Sequence, residues 1–221
     1  MRFSIINKIY VEKFREAARE IATAYSTVVF LDRPKLGLAL LFAGFVHFNI
    51  AISGLVGVLA SWSMAEILGL RIITFRRLVL YNGLLSGLFT GYLFQFDILV
   101  FFLIFFVAAL CLVFTAVGDS MLQRHGLPIL SIPFTLTAIT IALGRDHLSN
   151  LADASPYFIA YSLPSFASSL PSEWLIDLFR AMGSIFCMPD PLFGGLLFLS
   201  IAIVSPLLPV LLATGFAIGF S

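Results

Sequence analysis

The chain has 221 residues, of which 60% are hydrophobic and 11% are charged, whereas a soluble domain carries about 25% charged residues. Its mean hydropathy of +1.05 excludes an ordinary soluble domain and indicates an integral membrane protein. The 13 Lys and Arg residues nearly balance the 12 Asp and Glu residues, so no charge excess points to a nucleic-acid partner. Cys111 and Cys187 lie in separate apolar runs, which is typical of buried thiols rather than a disulfide framework.

Residues 1–24 predict an amphipathic leader helix. Apolar side chains recur there at helical spacing, at Ile5, Ile6, Ile9, Phe14, Ala17, Ala18 and Ile21. Charged residues fall between them, so we expect the leader to lie in the membrane interface. The same charges argue against a cleavable signal peptide, whose central segment is uncharged. The leader either tethers the first membrane helix or binds a partner protein, and the pattern favours the tether.

Residues 25–144 contain the apolar runs of five predicted membrane helices. The expected bounds are about 36–47, 50–68, 79–96, 98–117 and 127–143. His47 and Asn49 are a polar pair suited to the turn between the first two helices. The loops near Arg76 and Arg124 carry positive charge, whereas the turns near residues 48 and 96 carry no Lys or Arg. The positive-inside rule therefore favours a cytoplasmic N-terminus.

The third run contains the stretch YNGLLSGLFTG, residues 81–91. Small residues recur at four-residue spacing in the second and third runs, at Ser53, Gly57 and Ser61 and then at Gly83, Gly87 and Gly91. Such rows allow two membrane helices to pack at backbone contact. The amide of Asn82 lies in the same apolar run, where it needs hydrogen-bond partners or a water-filled path.

Residues 145–172 are rich in Ser, Asp and Pro and predict a linker. Beyond the linker the segment 26–37 reappears as 183–194, at a shift of 157 residues (183 minus 26). In each copy a short apolar helix with a hydroxyl near its end is followed by a proline and then by a long uncharged run. Because five spans precede it, the second copy would have inverted topology. We interpret residues 173–221 as the start of a second, inverted repeat that this sequence does not complete.

Three motifs resemble those of the urea transporter family. They are Tyr-Asn-Gly-x-Leu-x-Gly at 81–87, the paired segments 30–37 and 186–194 that each end in Pro-x-x-Gly, and Leu-Pro-Ile-Leu-Ser-Ile-Pro-Phe at 127–134. The motifs stand in the family's order and cover nearly the whole chain. The resemblance implies an all-α polytopic membrane protein with inverted repeats of five membrane helices, each with a re-entrant pore helix. It also implies a homotrimer in which each subunit has its own pore.

The resemblance further implies a narrow slot that admits a flat, uncharged solute. By position, the slot and its polar edges would comprise Phe30, Tyr81, Leu85, Ser131, Thr27, Ser184 and Cys187. Structural roles would fall to Asn82, Gly83, Gly87, Gly91 and Pro133. Thr27 and Ser184 have short hydroxyls where the family often has longer acceptors, and Cys187 stands where Phe30 stands in the first copy. These departures admit another small neutral solute as an alternative to urea.

The sequence therefore predicts passive, channel-type transport of urea or a similar small neutral amide across the cell membrane. The alternative is a non-transporting, urea-transporter-like module that acts as membrane anchor or sensor of a larger protein, and a pore for ammonia or water is a third reading. No His-Glu-x-x-His, Gly-x-Ser-x-Gly or Walker sequence occurs, so we expect no enzyme. We also expect no cofactor and no metal, and membrane lipid, solute and further copies of the chain as the only partners.

Overall fold

The computed structural model of the chain describes residues 2–70, 72–148, 150–154 and 173–220, with side chains described from residue 11 to residue 219 of these ranges. Every regular element in these ranges is a helix, apart from one isolated bridge between Phe94 and Asp153. The all-α prediction is therefore confirmed for this part of the chain. Most of the predicted linker, residues 155–172, lies outside the described residues.

The α-helices are numbered here in chain order. They are α1 (Arg2–Thr27), α2 (Pro34–Gly44), α3 (Phe48–Ile67), α4 (Ile73–Leu93), α5 (Ile98–Leu122), α6 (Ile132–Gly144), α7 (Glu173–Ser184), α8 (Pro191–Val204) and α9 (Leu207–Phe220). Among the described residues, the helical stretches Pro34–Ile67 and Ile98–His125 have the length and apolarity of membrane spans. Pro191–Val204 and Leu207–Gly219 are shorter apolar helices.

Several helices differ from the bounds that the sequence predicts. Helix α4 begins at Ile73 rather than near residue 79, and α5 ends at Leu122 rather than near residue 117. Helix α1 continues through residue 24 without a break, so the leader and the short apolar helix after it form one element. Helix α6 begins at Ile132 rather than at residue 127. Leu130 has a φ of 45°, which a right-handed helix cannot contain. Pro133 is therefore in the first turn of α6, where its missing N–H breaks no intrahelical bond.

Helices α3 and α4 pack at backbone contact through their two rows of small residues. A Cβ added to Gly87 would overlap the carbonyl oxygen of Ser53 and lie 3.0 Å from Cα of Gly57. A Cβ added to Gly83 would lie 2.7 Å from Cβ of Ser61. The four-residue spacing thus places the small residues of the two helices opposite each other. Because no large side chains separate the helices there, their backbones are in contact.

The helix–turn–helix units α1–α2 and α7–α8 have the same local structure. Each first helix ends at a hydroxyl residue, Thr27 or Ser184, and each second helix begins at a proline seven residues later. The two turns close with equivalent hydrogen bonds. The N–H of Leu31 donates to the carbonyl of Ser26 at 3.0 Å, and the N–H of Met188 donates to that of Gly183 at 3.0 Å. The shift of 157 residues therefore relates two equal folds as well as two similar sequences.

Gly37 and Gly194 bring the two helices of each unit together. A Cβ on Gly37 would overlap the carbonyl oxygen of Ala22, and a Cβ on Gly194 would overlap that of Phe179. The contacted carbonyls are themselves 157 residues apart (179 minus 22). Only glycine permits this approach of the second helix to the backbone of the first.

Helices α2 and α8 contact each other at the centre of the described residues. Their buried side chains belong to a larger apolar group, here called the central cluster, that includes Leu36, Leu40, Leu85, Phe193 and Leu197. Leu36 and Phe193 are equivalent positions of the two units, as are Leu40 and Leu197. Equivalent positions of the two units therefore lie in one apolar cluster.

A charged cluster fastens α1 to the start of α4. Arg76 donates from Nη2 to Oε2 of Glu20 at 2.8 Å and also binds the carboxylate of Glu66. The indole Nε1 of Trp62 donates to the same oxygen of Glu20 at 3.1 Å. Two carboxylates thus share one guanidinium, which offsets part of their negative charge where three helices meet.

Candidate functional site

Tyr81 and Ser131 are predicted slot residues from two different segments that the structure brings close together. Tyr81 is half-buried on α4, and Ser131 immediately precedes α6. Their side chains lie close enough for the two hydroxyl groups to interact. Because α6 begins only after this point, a hydroxyl pair and an aromatic ring stand beside a helix end within apolar surroundings.

Asn82 holds that helix end in place. Its Nδ2 donates to the carbonyl oxygens of Leu78, at 2.9 Å, and Leu130, at 3.0 Å. Its Oδ1 accepts from the backbone N–H of Phe134 at 3.2 Å. The amide is fully buried, and all three bonds go to backbone groups. Asn82 therefore joins the middle of α4 to the turn before α6 and to the first residues of α6.

Phe30 and Cys187 have equivalent and unusual backbone conformations. Phe30 has a φ of 58° and Cys187 a φ of 57°, both in the left-handed region that favours glycine. Phe30 projects outward and is 81% exposed, whereas Cys187 is half-buried against the central cluster. A strained conformation at a non-glycine residue is typical of functional sites. Here it turns the two side chains out of the line of their helices.

Thr27 and Ser184 both use their hydroxyl hydrogen within their own helix. Oγ1 of Thr27 donates to the carbonyl of Thr23 at 2.8 Å, and Oγ of Ser184 donates to that of Arg180 at 2.9 Å. The accepting carbonyls are again equivalent by the shift of 157 residues (180 minus 23). Since the hydrogen is committed, the lone pairs of each oxygen remain as acceptors for an N–H group of a solute.

Leu85 of α4 is a predicted slot residue that is buried in the structure. It is 5% exposed and packs within the central cluster beside Leu40 and Phe193. Phe134, which the sequence analysis did not assign, is partly buried against the same cluster and meets the ring of Phe89 edge to face at 6.2 Å. Phe134 directly follows Pro133 in the quoted motif, so its position there was the available signal.

Asn49 is a second amide that sequence reasoning placed only at a turn. Its Oδ1 accepts from the backbone N–H of Phe96 at 2.6 Å, and its Nδ2 donates to the carbonyl of Phe94 at 3.0 Å. It therefore fixes the loop after α4 as Asn82 fixes the turn before α6. Both are isolated amides in uncharged runs, so the argument made for Asn82 applied equally to Asn49.

The chemistry of these side chains is that of hydrogen bonding without charge. No group of three or more His, Cys, Asp or Glu residues suited to a metal occurs within the part of the chain that the structure describes. The predicted slot residues offer hydroxyls, aromatic rings and a thiol, and none is ionised at neutral pH. Such a set can exchange hydrogen bonds with a neutral polar solute and offers an ion no compensating charge.

The fold and these side chains define the class of an all-helical membrane transport protein. The family model described as Urea transporter matches residues 18–221, and the chain belongs to this family. The predicted resemblance is thereby confirmed, and so is the prediction that the protein is not an enzyme, because the family consists of membrane channels and transporters. A search of curated proteins gives no match to the chain.

Proposed function

We propose that the protein moves urea, or a similar small neutral amide, passively down its gradient through a channel-type pore. The pore lies between two inverted repeats, the first formed by residues 25–144 and the second beginning at residue 173. Membership of the urea transporter family supports urea transport in general. The observation that carries the finer proposal is the pair of equal turns at Phe30 and Cys187, each preceded by a hydroxyl acceptor at Thr27 or Ser184.

Urea is planar and uncharged, and it carries several N–H donors. A pore that removes its water must replace those hydrogen bonds, because each unpaired polar group in an apolar channel costs about 1–3 kcal/mol. Acceptor oxygens at Thr27 and Ser184 meet this need at two equivalent depths, and Ser131 beside Tyr81 adds a third. Phe30 and Tyr81 supply flat walls. For an ion, the free-energy cost of losing its water is far larger than the gain from contacts with these neutral groups.

The proposed orientation places the N-terminus in the cytoplasm and the protein in the cell membrane. Its support is the positive-inside rule together with the contact between Arg76 and Glu20, which puts α1 on the same side as the basic loop before α4. A homotrimer is proposed from the family resemblance. In such a trimer each subunit would keep its own pore, since Phe30, Tyr81 and Ser131 belong to one chain.

The test is the flux of urea into liposomes that contain the purified protein. We expect flux well above that of empty liposomes and a loss of about tenfold, equivalent to about 1.4 kcal/mol in the barrier, on Tyr81→Ala or Phe30→Trp. Tyr81→Ala removes a wall and the partner of Ser131, and Phe30→Trp fills the passage with a larger ring. Phe102→Trp is the matched control, because Phe102 is an exposed aromatic residue of α5.

Each failure has a different meaning. Flux equal to that of empty liposomes would overturn passive transport and favour a non-transporting membrane module. Strong flux that Tyr81→Ala and Phe30→Trp leave unchanged would keep transport but refute the assignment of the slot.

A further inference from the structure

A buried histidine and aspartate join the two helix–turn–helix units. His47 ends the single 3-10 turn between α2 and α3, and Asp190 immediately precedes α8. Nε2 of His47 lies 3.2 Å from Oδ2 of Asp190, and the side chains are only 6% and 3% exposed. Neither residue belongs to the predicted slot, and the pair spans 143 residues of sequence (190 minus 47).

Asp190 has a second contact, which caps the helix that follows the turn containing Cys187. Its Oδ2 accepts from the backbone N–H of Phe193 at 3.3 Å and so caps the start of α8. The equivalent residue of the first unit is Arg33, whose side chain makes no such cap. The second turn therefore has a buried carboxylate where the first has none, and a buried carboxylate requires a partner.

The same turn also needs support because of its backbone. Cys187 has a φ of 57°, which a non-glycine residue keeps only when its surroundings hold it. Met188 beside it is buried, and its Cε would lie 3.6 Å from a Cβ added to Gly44 near the end of α2. The last turn of α2 and the residue His47 just after it thus face the turn 185–190 from one side.

We propose that His47 and Asp190 are a positioning pair that holds the turn of Cys187 at the wall of the slot. The inference rests on the proposed function for its consequence in transport, but the contact itself is independent of the solute. Asp190 sets where α8 begins, and His47 fixes Asp190 to the first unit. Loss of the pair releases the turn, so the thiol of Cys187 becomes more accessible and the slot less selective.

The experiment measures how fast Cys187 reacts with N-ethylmaleimide in proteoliposomes. The chain has two cysteines, so Cys111→Ala leaves Cys187 as the only thiol. In that background we expect His47→Leu to raise the labelling rate about tenfold or more, because it leaves the carboxylate buried and unpaired. His47→Gln, which keeps an N–H donor, should restore most of the protection.

Further variants separate the pair from general loosening. Asp190→Asn keeps a capping oxygen but removes the charge, so we expect a smaller rise than for His47→Leu. In the double variant His47→Leu/Asp190→Asn, Cys187 should react no faster than in His47→Leu alone. The contact is already lost in His47→Leu, and the double variant has no unpaired carboxylate. Thr115→Val is the matched control, because Thr115 is buried on α5 and bonds only within that helix.

Several outcomes would overturn the proposal. It is refuted if His47→Leu folds and labels within about twofold of the parent, or if the double variant shows the product of the two separate increases. If His47→Leu does not fold, Asp190→Asn and the double variant decide, and unchanged labelling in both refutes the pair. Urea flux is recorded on the same samples. Absent flux in the parent removes the proposed function, whereas the labelling result still decides the role of the pair.

Discussion

At the scale of single residues, Asn82 shows why one polar side chain is kept in an apolar run. Within the bilayer a free carbonyl or N–H has no water to bond, so a helix that begins inside the molecule needs partners from elsewhere. Asn82 supplies them to Leu130 and Phe134, on opposite sides of the start of α6. An amide suits this task because it donates and accepts at the same time.

Substitution of Asn82 by Leu is therefore expected to lower the free energy of unfolding by about 2–4 kcal/mol, because it strands two buried backbone groups. Thermal unfolding of the detergent-solubilised protein measures the effect. Thr90→Val is the control, since Thr90 is buried on the same helix but bonds only to Ser86 within it, and its loss should be below about 1 kcal/mol. Equal unfolding temperatures for the two variants would show that Asn82 does not secure α6.

At the scale of helices, α3 and α4 depend on the absence of side chains. At Gly57 and Gly87 the two backbones are in contact, because no Cβ separates them. In a membrane lipid tails are as apolar as leucine, so association relies on close van der Waals packing more than on the hydrophobic effect. Each added methyl group at this contact forces the helices apart over several residues.

Gly87→Ala is expected to destabilise the protein by about 2 kcal/mol or more, since the new methyl group overlaps the backbone of α3. Gly215→Ala is the matched control, because a Cβ on Gly215 in α9 meets no described atom within 4 Å. Alanine should favour that helix by up to about 1 kcal/mol. Unfolding temperatures of both variants provide the comparison, and a Gly87→Ala protein as stable as the parent would contradict backbone contact between α3 and α4.

At the scale of the whole molecule, two equal units carry different side chains at their matching turns. Phe30 and Cys187 share one backbone conformation, but a ring stands at one position and a thiol at the other. If both turns border one passage, as we propose, the thiol leaves the second half wider. The range of solutes that the passage accepts then depends on the side chain at Cys187. The backbone conformation of the turn does not depend on that side chain, because Phe30 has the same conformation.

Cys187→Phe is accordingly expected to sharpen selectivity. The added ring should reduce the permeability of dimethylurea more than that of urea. The ratio of urea permeability to dimethylurea permeability should therefore rise about tenfold, equivalent to about 1.4 kcal/mol. Stopped-flow measurement of both solutes in the same proteoliposomes gives the ratio. Cys111→Ser serves as the control, since Cys111 is buried on α5 away from the turn. An unchanged ratio for Cys187→Phe would exclude this position from the passage.

Much of this arrangement can be predicted from sequence because it depends on local patterns. Some residues indicate a local requirement by their type alone. The glycine rows at Gly57 and Gly87 indicate close helix packing, Pro34 and Pro191 indicate helix starts, and the amide of Asn82 indicates a need for hydrogen-bond partners. Partners are harder to predict, since they come from distant segments. Nothing in the sequence near His47 points to Asp190, and nothing near Leu85 identifies its partners in the central cluster.

The sequence by itself determined that the protein is an all-helical membrane protein of the urea transporter family and that two of its segments are equivalent. Composition and short motifs suffice for this, because the bilayer restricts the possible structures so strongly. Only the tertiary structure decided that α1 is one helix held by Arg76, that Asn49 and Asn82 fix two chain turns, and that His47 meets Asp190. These contacts depend on how the helices are placed in three dimensions, and spacing along one chain does not encode that placement.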